Sequence, residues 1–156
     1  MQGNQRVIDA LNELLTLELT VVNQYFVHSK MCENWGYPRL AAKQREIALD
    51  EMRDAEGIID RILFLDGVPN MQRLGSVTVG ETVPEQFRIA LDGEHKALEL
   101  LRGGIAVALE EGDEASREFF AGRLLEEEGH VDFAETQLAL VDQLGEANYL
   151  AQQLAD

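Results

Sequence analysis

The chain has a single cysteine, Cys32, and only three prolines in 156 residues. A lone thiol excludes an internal disulfide framework and any thiolate-rich metal site, and it suits a reducing cytoplasm. Aromatics are few. Basic residues are scarce as well: 13 Lys and Arg stand against 29 Asp and Glu, for a net charge of −16. Without a clustered basic surface there is nothing to hold a phosphate backbone, which argues against nucleic acid as a partner. No apolar run approaches the roughly 18 to 20 residues that span a bilayer, so no membrane is expected. The polar start Met1-Gln2-Gly3-Asn4-Gln5 leads directly into a helical pattern and does not read as a secretory signal.

Hydrophobic residues make up 46% and charged residues 27%, which fits one soluble domain over 1–156, large enough to bury a core. The acidity serves either solubility or the attraction of cations, and charge alone does not separate the two. Leu11, Leu15, Val22 and Tyr25 recur at helical spacing, and Asn34-Trp35-Gly36-Tyr37-Pro38 supplies a stop. The pattern predicts helices over about 4–34, 39–65, 82–111, 113–144 and 147–154. Thr82-Val83-Pro84-Glu85 has capping-box spacing, and Asp66-Gly67-Val68-Pro69 and Gly145 act as stops. Residues from about 66 to 81 carry no helical period, although Val77-Thr78-Val79 is briefly β-like. Short first and third links make antiparallel neighbours, while a connection of about 16 residues can run the length of a bundle. The expected fold is all-α: a four-helix bundle with one long crossover and a short terminal helix.

Spacing then singles out a set of carboxylates. Glu18 and Glu51 lie 33 residues apart, as do Glu94 and Glu127. Glu51 opens an i, i+3 pair with Asp54, and Glu127 opens one with His130. The inward stripe Leu11, Leu15, Glu18, Val22, Tyr25 repeats as Phe87, Leu91, Glu94, Leu98, Leu101, at an offset of 76 residues that also relates Glu51 to Glu127 and Asp54 to His130. That is pseudo-two-fold symmetry between two helical hairpins. Any one such Glu is most simply an edge residue paired with Arg or Lys. A full set at one offset within apolar stripes needs another explanation, because buried carboxylates brought together repel and take up protons. Divalent cations remove both problems. Carboxylate oxygens with one or two imidazoles suit Fe or Mn better than structural Zn.

Two helices each giving one Glu, and two each giving Glu-x-x-His, is the ligand pattern of ferritin-like di-iron bundles. The chain resembles the bacterioferritins of that superfamily over essentially its full length. The stretches that carry the likeness are Asn23-Gln24-Tyr25-Phe26, Asn34-Trp35-Gly36, Asp50-Glu51-Met52, Arg61-Ile62-Leu63-Phe64-Leu65, Glu127-Glu128-Gly129-His130 and Asn148-Tyr149-Leu150. The resemblance implies a ferritin-like bundle and a hollow cytoplasmic shell of about 24 subunits, homomeric or mixed. It implies ferroxidase activity, with Fe(II) oxidised by O2 or peroxide at a di-iron centre and the ferric mineral stored inside. It also implies haem b at a two-fold subunit interface, ligated by a Met from each side; a ferredoxin is a candidate partner for iron release. Taking about 100° per residue, Met52 points about 130° from the mean direction of Glu51 and Asp54, away from the bundle core. By residue chemistry alone Met52 is an exposed or interface side chain; under the resemblance it is the haem ligand.

The expected metal ligands and catalytic residues are Glu18, Glu51, Glu94, Glu127 and His130, with Asp54 as a sixth ligand and Glu46 as an additional iron contact on the inner surface. Asp54 departs from the family, which has His there. Five carboxylates and one His carry −5, where four Glu and two neutral His would carry −4 and match two Fe(II). Glu46 stands where many relatives carry His. Tyr25, two turns from Glu18, is either a hydrogen-bond donor to a ligand or a plain core residue. His28 and His95 read as surface histidines. The principal alternative is a haem-bearing shell subunit with an impaired ferroxidase centre, acting beside a catalytic paralogue. A DNA-protecting miniferritin is disfavoured by the charge, and a di-iron oxygenase by the little chain left to build a substrate pocket.

Overall fold

The computed structural model describes residues 1–154. Five helices follow in order: α1 Gln5–Trp35, α2 Pro38–Phe64, α3 Val83–Glu110, α4 Glu114–Leu144 and α5 Glu146–Ala151. Among the described residues there is no strand, and no helix is long and apolar enough to cross a membrane. The architecture is a ferritin-like four-helix bundle with one crossover and a short C-terminal helix. α5 stops at Ala151 and does not reach 154, because the Gln152 and Gln153 N–H groups bond only three residues back, to Tyr149 and Leu150 at 3.1 and 2.9 Å.

Local chemistry sets the helix ends. The Asn4 side chain accepts from Arg6 N at 2.8 Å, Thr82 from Glu85 N at 3.3 Å, and Asp113 from Ser116 N at 2.9 Å. Gly36 terminates α1 at φ 87°, a left-handed conformation that costs glycine no Cβ clash. α1 packs along α2 and α3 along α4, giving two hairpins.

The crossover between α2 and α3 is fixed to α1 by neutral side chains. The Asn12 amide donates to Val68 O at 3.1 Å and its carbonyl accepts from Asn70 N at 2.8 Å. Further along α1, Thr20 accepts from Gly75 N, Gln24 from Thr78 N and His28 Nε2 from Gly80 N, at 2.9, 3.0 and 2.9 Å. Rising residue numbers on both partners show that the crossover runs parallel to α1, from its beginning to its end. α3 therefore starts beside the end of α1 and runs antiparallel to it. His28, read from the sequence as a surface residue, is 1% exposed because this segment covers it. Its proton resides on Nδ1, since Nε2 accepts, and burial lowers it to about 4.

The core divides in three. One cluster joins Val7, Leu11, Leu15, Ile58, Ile62, Leu101 and Phe120; a second, at the other end, gathers Cys32, Leu40, Phe87 and Tyr149; a third lies between them around Val21, Tyr25, Ile47 and Ala90. Burying one such aliphatic or aromatic side chain contributes roughly 1.5–3 kcal/mol. α5 joins the second cluster through Tyr149, whose ring meets Phe87 edge-on at 6.3 Å while its hydroxyl donates to Gln137 at 2.7 Å. The register differs slightly from the sequence stripe, because Val22 and Leu91 are only half-buried while their neighbours Val21 and Ala90 are buried. The carboxylates lie where the first and third clusters meet.

Candidate metal centre

Glu18 of α1, Glu51 of α2, Glu94 of α3 and Glu127 of α4 are all buried, at 3%, 0%, 1% and 1% exposure. Four helices thus each push one carboxylate into the same apolar interior. Glu51, Glu94, Glu127 and His130 each offer a ligand atom, and these four atoms all lie within 4.8 Å of one another. Glu18 lies against Glu51.

The arrangement is of a kind that binds cations. His130 Nδ1 is 2.7 Å from Glu51 Oε1, 3.4 Å from Glu127 Oε2 and 3.9 Å from Glu94 Oε2. Yet both Glu51 oxygens, Glu127 Oε2 and His130 Nδ1 are buried with no hydrogen-bond partner of acceptable geometry. The atoms converge on a shared space without pointing at one another. Leaving such groups unpaired costs about 1–3 kcal/mol each, and more when they are charged. A divalent cation satisfies them together, and the oxygen-rich donor set with one imidazole fits iron or manganese.

Proton affinities follow from the crowding. Burial, then the neighbouring Glu51, holds the Glu18 carboxyl well above its usual range. Burial, then Glu127, does the same to Glu94. Burial alone would raise Glu127, but the neighbouring His130, Glu94 and Glu51 together outweigh it and lower the carboxyl. Burial alone would lower His130, but Glu127 and Glu51 outweigh it and raise the imidazole to about 11. Such a cluster takes up cations in exchange for protons. Tyr25 donates its hydroxyl to Glu94 Oε1, fixing that carboxylate from α1. Of the two sequence readings of Tyr25, the hydrogen-bonding one holds.

Asp54 stands apart from the four converging groups. Its carboxylate, 7% exposed, pairs with Arg123 of α4. Burial pushes it up to about 7 despite that guanidinium. The pairing returns the net charge of the five carboxylates from −5 to −4. Glu46 is exposed and paired with Lys43 at 2.7 Å, outside the cluster. Met52 is 44% exposed, on the face of α2 opposite the buried Glu51. His95 is exposed, as its register predicts.

Sequence reasoning missed Arg123. An Arg in the acidic run of α4 reads as a solvated charge. The 76-residue offset could have found it, because it pairs Arg123 with the apolar Ile47 and so marks Arg123 as a break in the symmetry.

Comparison with known proteins agrees with the bundle. Residues 8–144 match the ferritin-like domain family. The chain is 51% identical over 152 residues to the bacterioferritin of Mycobacterium leprae, covering 97% of this chain and 96% of the relative. To the bacterioferritin of Streptomyces coelicolor it is 48% identical over 151 residues, covering 97% and 90%. The solved structure of Mycobacterium tuberculosis bacterioferritin BfrA superposes with a TM-score of 0.97 at 50% identity, over 99% of this chain and 98% of that one. The chain belongs to the ferritin-like family, among the bacterioferritins.

Proposed function

We propose that the protein stores and detoxifies iron, oxidising Fe(II) at the buried carboxylate cluster and holding the ferric product inside a shell of about 24 subunits. The observation that carries this reading is the convergence of Glu51, Glu94, Glu127 and His130 within 4.8 Å, with both Glu51 oxygens buried and unpartnered. In the bland alternative, edge carboxylates would each have an Arg or Lys; here three of the four converging groups are almost wholly buried and none has a Lys or Arg partner.

Fe(II) is the substrate, and four Fe(II), one O2 and four H+ give four Fe(III) and two H2O. Peroxide can replace O2 as the acceptor. Glu51, Glu94, Glu127 and His130, with Glu18 beside them, bind the iron, and Tyr25 orients Glu94. No protein nucleophile is required. The role of the chain is to gather carboxylates whose repulsion only cations relieve. A cytoplasmic location and a ferredoxin for iron release complete the reading.

Haem b belongs to the same proposal, and the residues fit it. Leu49 and Met52, exposed at 46% and 44%, share a face of α2 by i, i+3 spacing, and exposed Phe26 of α1 lies under Arg45 of that face. An apolar surface bearing a thioether suits a haem shared with a second subunit, and Met52 is the residue that would hold it. Bound there, the haem would supply an electron path across the shell.

A second reading is favoured by one observation, the commitment of Asp54 to Arg123. Under it this subunit carries haem and shapes the shell, while a paralogue oxidises iron. Aerobic mixing of Fe(II) with the native protein and with Asp54→His separates the two. A fast ferric absorbance phase in the native protein supports the ferroxidase reading, and an increase of about tenfold is expected in the variant. No fast phase in the native protein, with one appearing in Asp54→His, rejects catalysis by this subunit and favours the second reading.

A further inference from the structure

The side chain of Arg123 occupies a seat found in only one half of the molecule. Its guanidinium pairs with Asp54, donates to Glu126 at 2.8 Å and lies 5.3 Å over the ring of Phe119. Gly57, one turn beyond Asp54 on α2, makes the room: a Cβ there would come within 2.9 Å of Arg123 Nη2. At the symmetry-related positions stand Ile47 in place of Arg123 and Phe133 in place of Gly57. Asp54, Gly57 and Arg123 therefore depart from the internal symmetry together. Asp54 and Arg123 line a cleft of about 470 Å³ between α2 and α4 together with Asp50, Arg53, Glu126 and His130, so one wall of the cleft is itself a member of the converging set.

The completed ligand set and this ion pair share no carboxylate. Glu51, Glu94, Glu127 and His130 converge while Asp54 is held away by Arg123. From this geometry we propose that the Asp54–Arg123 pair is a latch at the α2–α4 mouth, which makes the two metal positions unequal. The first divalent cation binds the four converging ligands with the latch closed. The second, which needs Glu18 and Asp54, binds only when Asp54 leaves Arg123. A symmetric site with two histidines has no such step, since neutral imidazole does not pair with a guanidinium. The inference rests on the metal-binding reading above, and it makes Arg123 a positioning residue that sets stoichiometry through Asp54.

Anaerobic titration of the intact shell with Co(II), followed by its ligand-field absorbance and by equilibrium dialysis, tests the latch. The native protein is expected to bind one Co(II) per subunit tightly and a second about 10- to 100-fold more weakly, as opening a partly buried ion pair requires. Arg123→Gln should bring the two affinities within about threefold. Gly57→Ala should do the same with every charge retained, because the new methyl displaces the guanidinium, the free end of a flexible side chain. Asp54→Asn placed on Arg123→Gln should restore a single tight site, showing that the latch acts by withholding a ligand. Two equal sites in the native protein, or an unchanged gap in both single variants with the shell intact by sedimentation, overturn the latch and leave the ferroxidase reading standing. Absence of any tight Co(II) site in the native protein overturns both.

Discussion

Glu127-x-x-His130 on α4 and Glu51-x-x-Asp54 on α2 occupy equivalent places in two hairpins related by a 76-residue offset, yet they have opposite surroundings. His130 faces Glu51, Glu94 and Glu127 and turns its Nδ1 into the cluster. Asp54 faces Arg123 and turns out of it. The difference extends to the supporting residues. Glu94 receives the Tyr25 hydroxyl, whereas the symmetry mate of Tyr25 is Leu101, which has no donor to offer Glu18. A duplicated backbone plan therefore carries one half-site whose candidate ligands are positioned in advance and one whose candidate ligand is engaged elsewhere. Preorganisation is a property of the partners around a ligand as much as of the ligand itself.

Removing one ligand from each half should give the largest difference. His130→Asn should weaken tight metal binding and slow Fe(II) oxidation by on the order of 10²-fold, since it breaks the preformed set. Asp54→Asn should weaken the tight site no more than about threefold, because Asp54 is not in that set and Asn can still accept from Arg123. Parallel stopped-flow oxidation and Co(II) titration of the two variants read the ratio directly; equal losses would erase the functional asymmetry.

Acid–base behaviour should separate the metal-free from the metal-loaded protein by a smaller margin. Glu18 and Glu94 are raised above 4.5, Asp54 is raised from 3.8 to about 7, and His130 from 6.5 to about 11. Each group holds a proton in the folded chain that the unfolded chain has released, so folded stability falls as pH rises through these windows. His28 acts in the opposite sense: lowered from 6.5 to about 4, it favours the folded state above that window and loses its contribution as pH falls through it. That loss is no more than about 2–3 kcal/mol after solvent screening, and it bears on the crossover, away from the metal cluster. The metal-free Tm should therefore decline between about pH 6 and pH 9, by an amount equivalent to roughly 1–3 kcal/mol. Mn(II), which takes the place of the protons, should raise the Tm and flatten the slope. Parallel thermal scans with and without Mn(II) measure it, and identical slopes would detach the titration from the cluster.

What the sequence reveals here depends on whether a residue acts along its own helix or across to another element. Glu18, Glu51, Glu94 and Glu127 are legible because each interrupts an apolar stripe, and one offset ties them together. The crossover is legible from its missing period. The burial of His28 is not, because a helix pattern marks which face is apolar and says nothing of a loop laid over the polar one. Gln24 and Thr20 are hidden in the same way: polar side chains on an outer face become buried rungs once the crossover N–H groups donate to them. Arg123 and Gly57 meet only across the α2–α4 seam, 66 positions apart in the chain. Their signal is a joint departure from the repeat, visible when the halves are overlaid and invisible in either alone.

Tyr25 offers the finest probe of the same asymmetry. Its hydroxyl donates to a carboxylate whose protonated form is favoured by burial and by Glu127, so without metal the bond holds Glu94 in one rotamer amid repulsion. Tyr25→Phe keeps the ring, which packs with Val21, Ile47 and Ala90, and removes only the donor. The loss should destabilise the protein by about 1 kcal/mol and weaken the first Co(II) site about three- to tenfold, chiefly through a Glu94 free to swing. Leu101→Phe at the equivalent position adds no donor and should leave the first site unchanged while straining the core around Phe120. Should Tyr25→Phe instead weaken the second, Glu18-side site and spare the first, the preformed half would be the one on α2, and the direction of the asymmetry argued from Asp54 and Arg123 would have to be reversed.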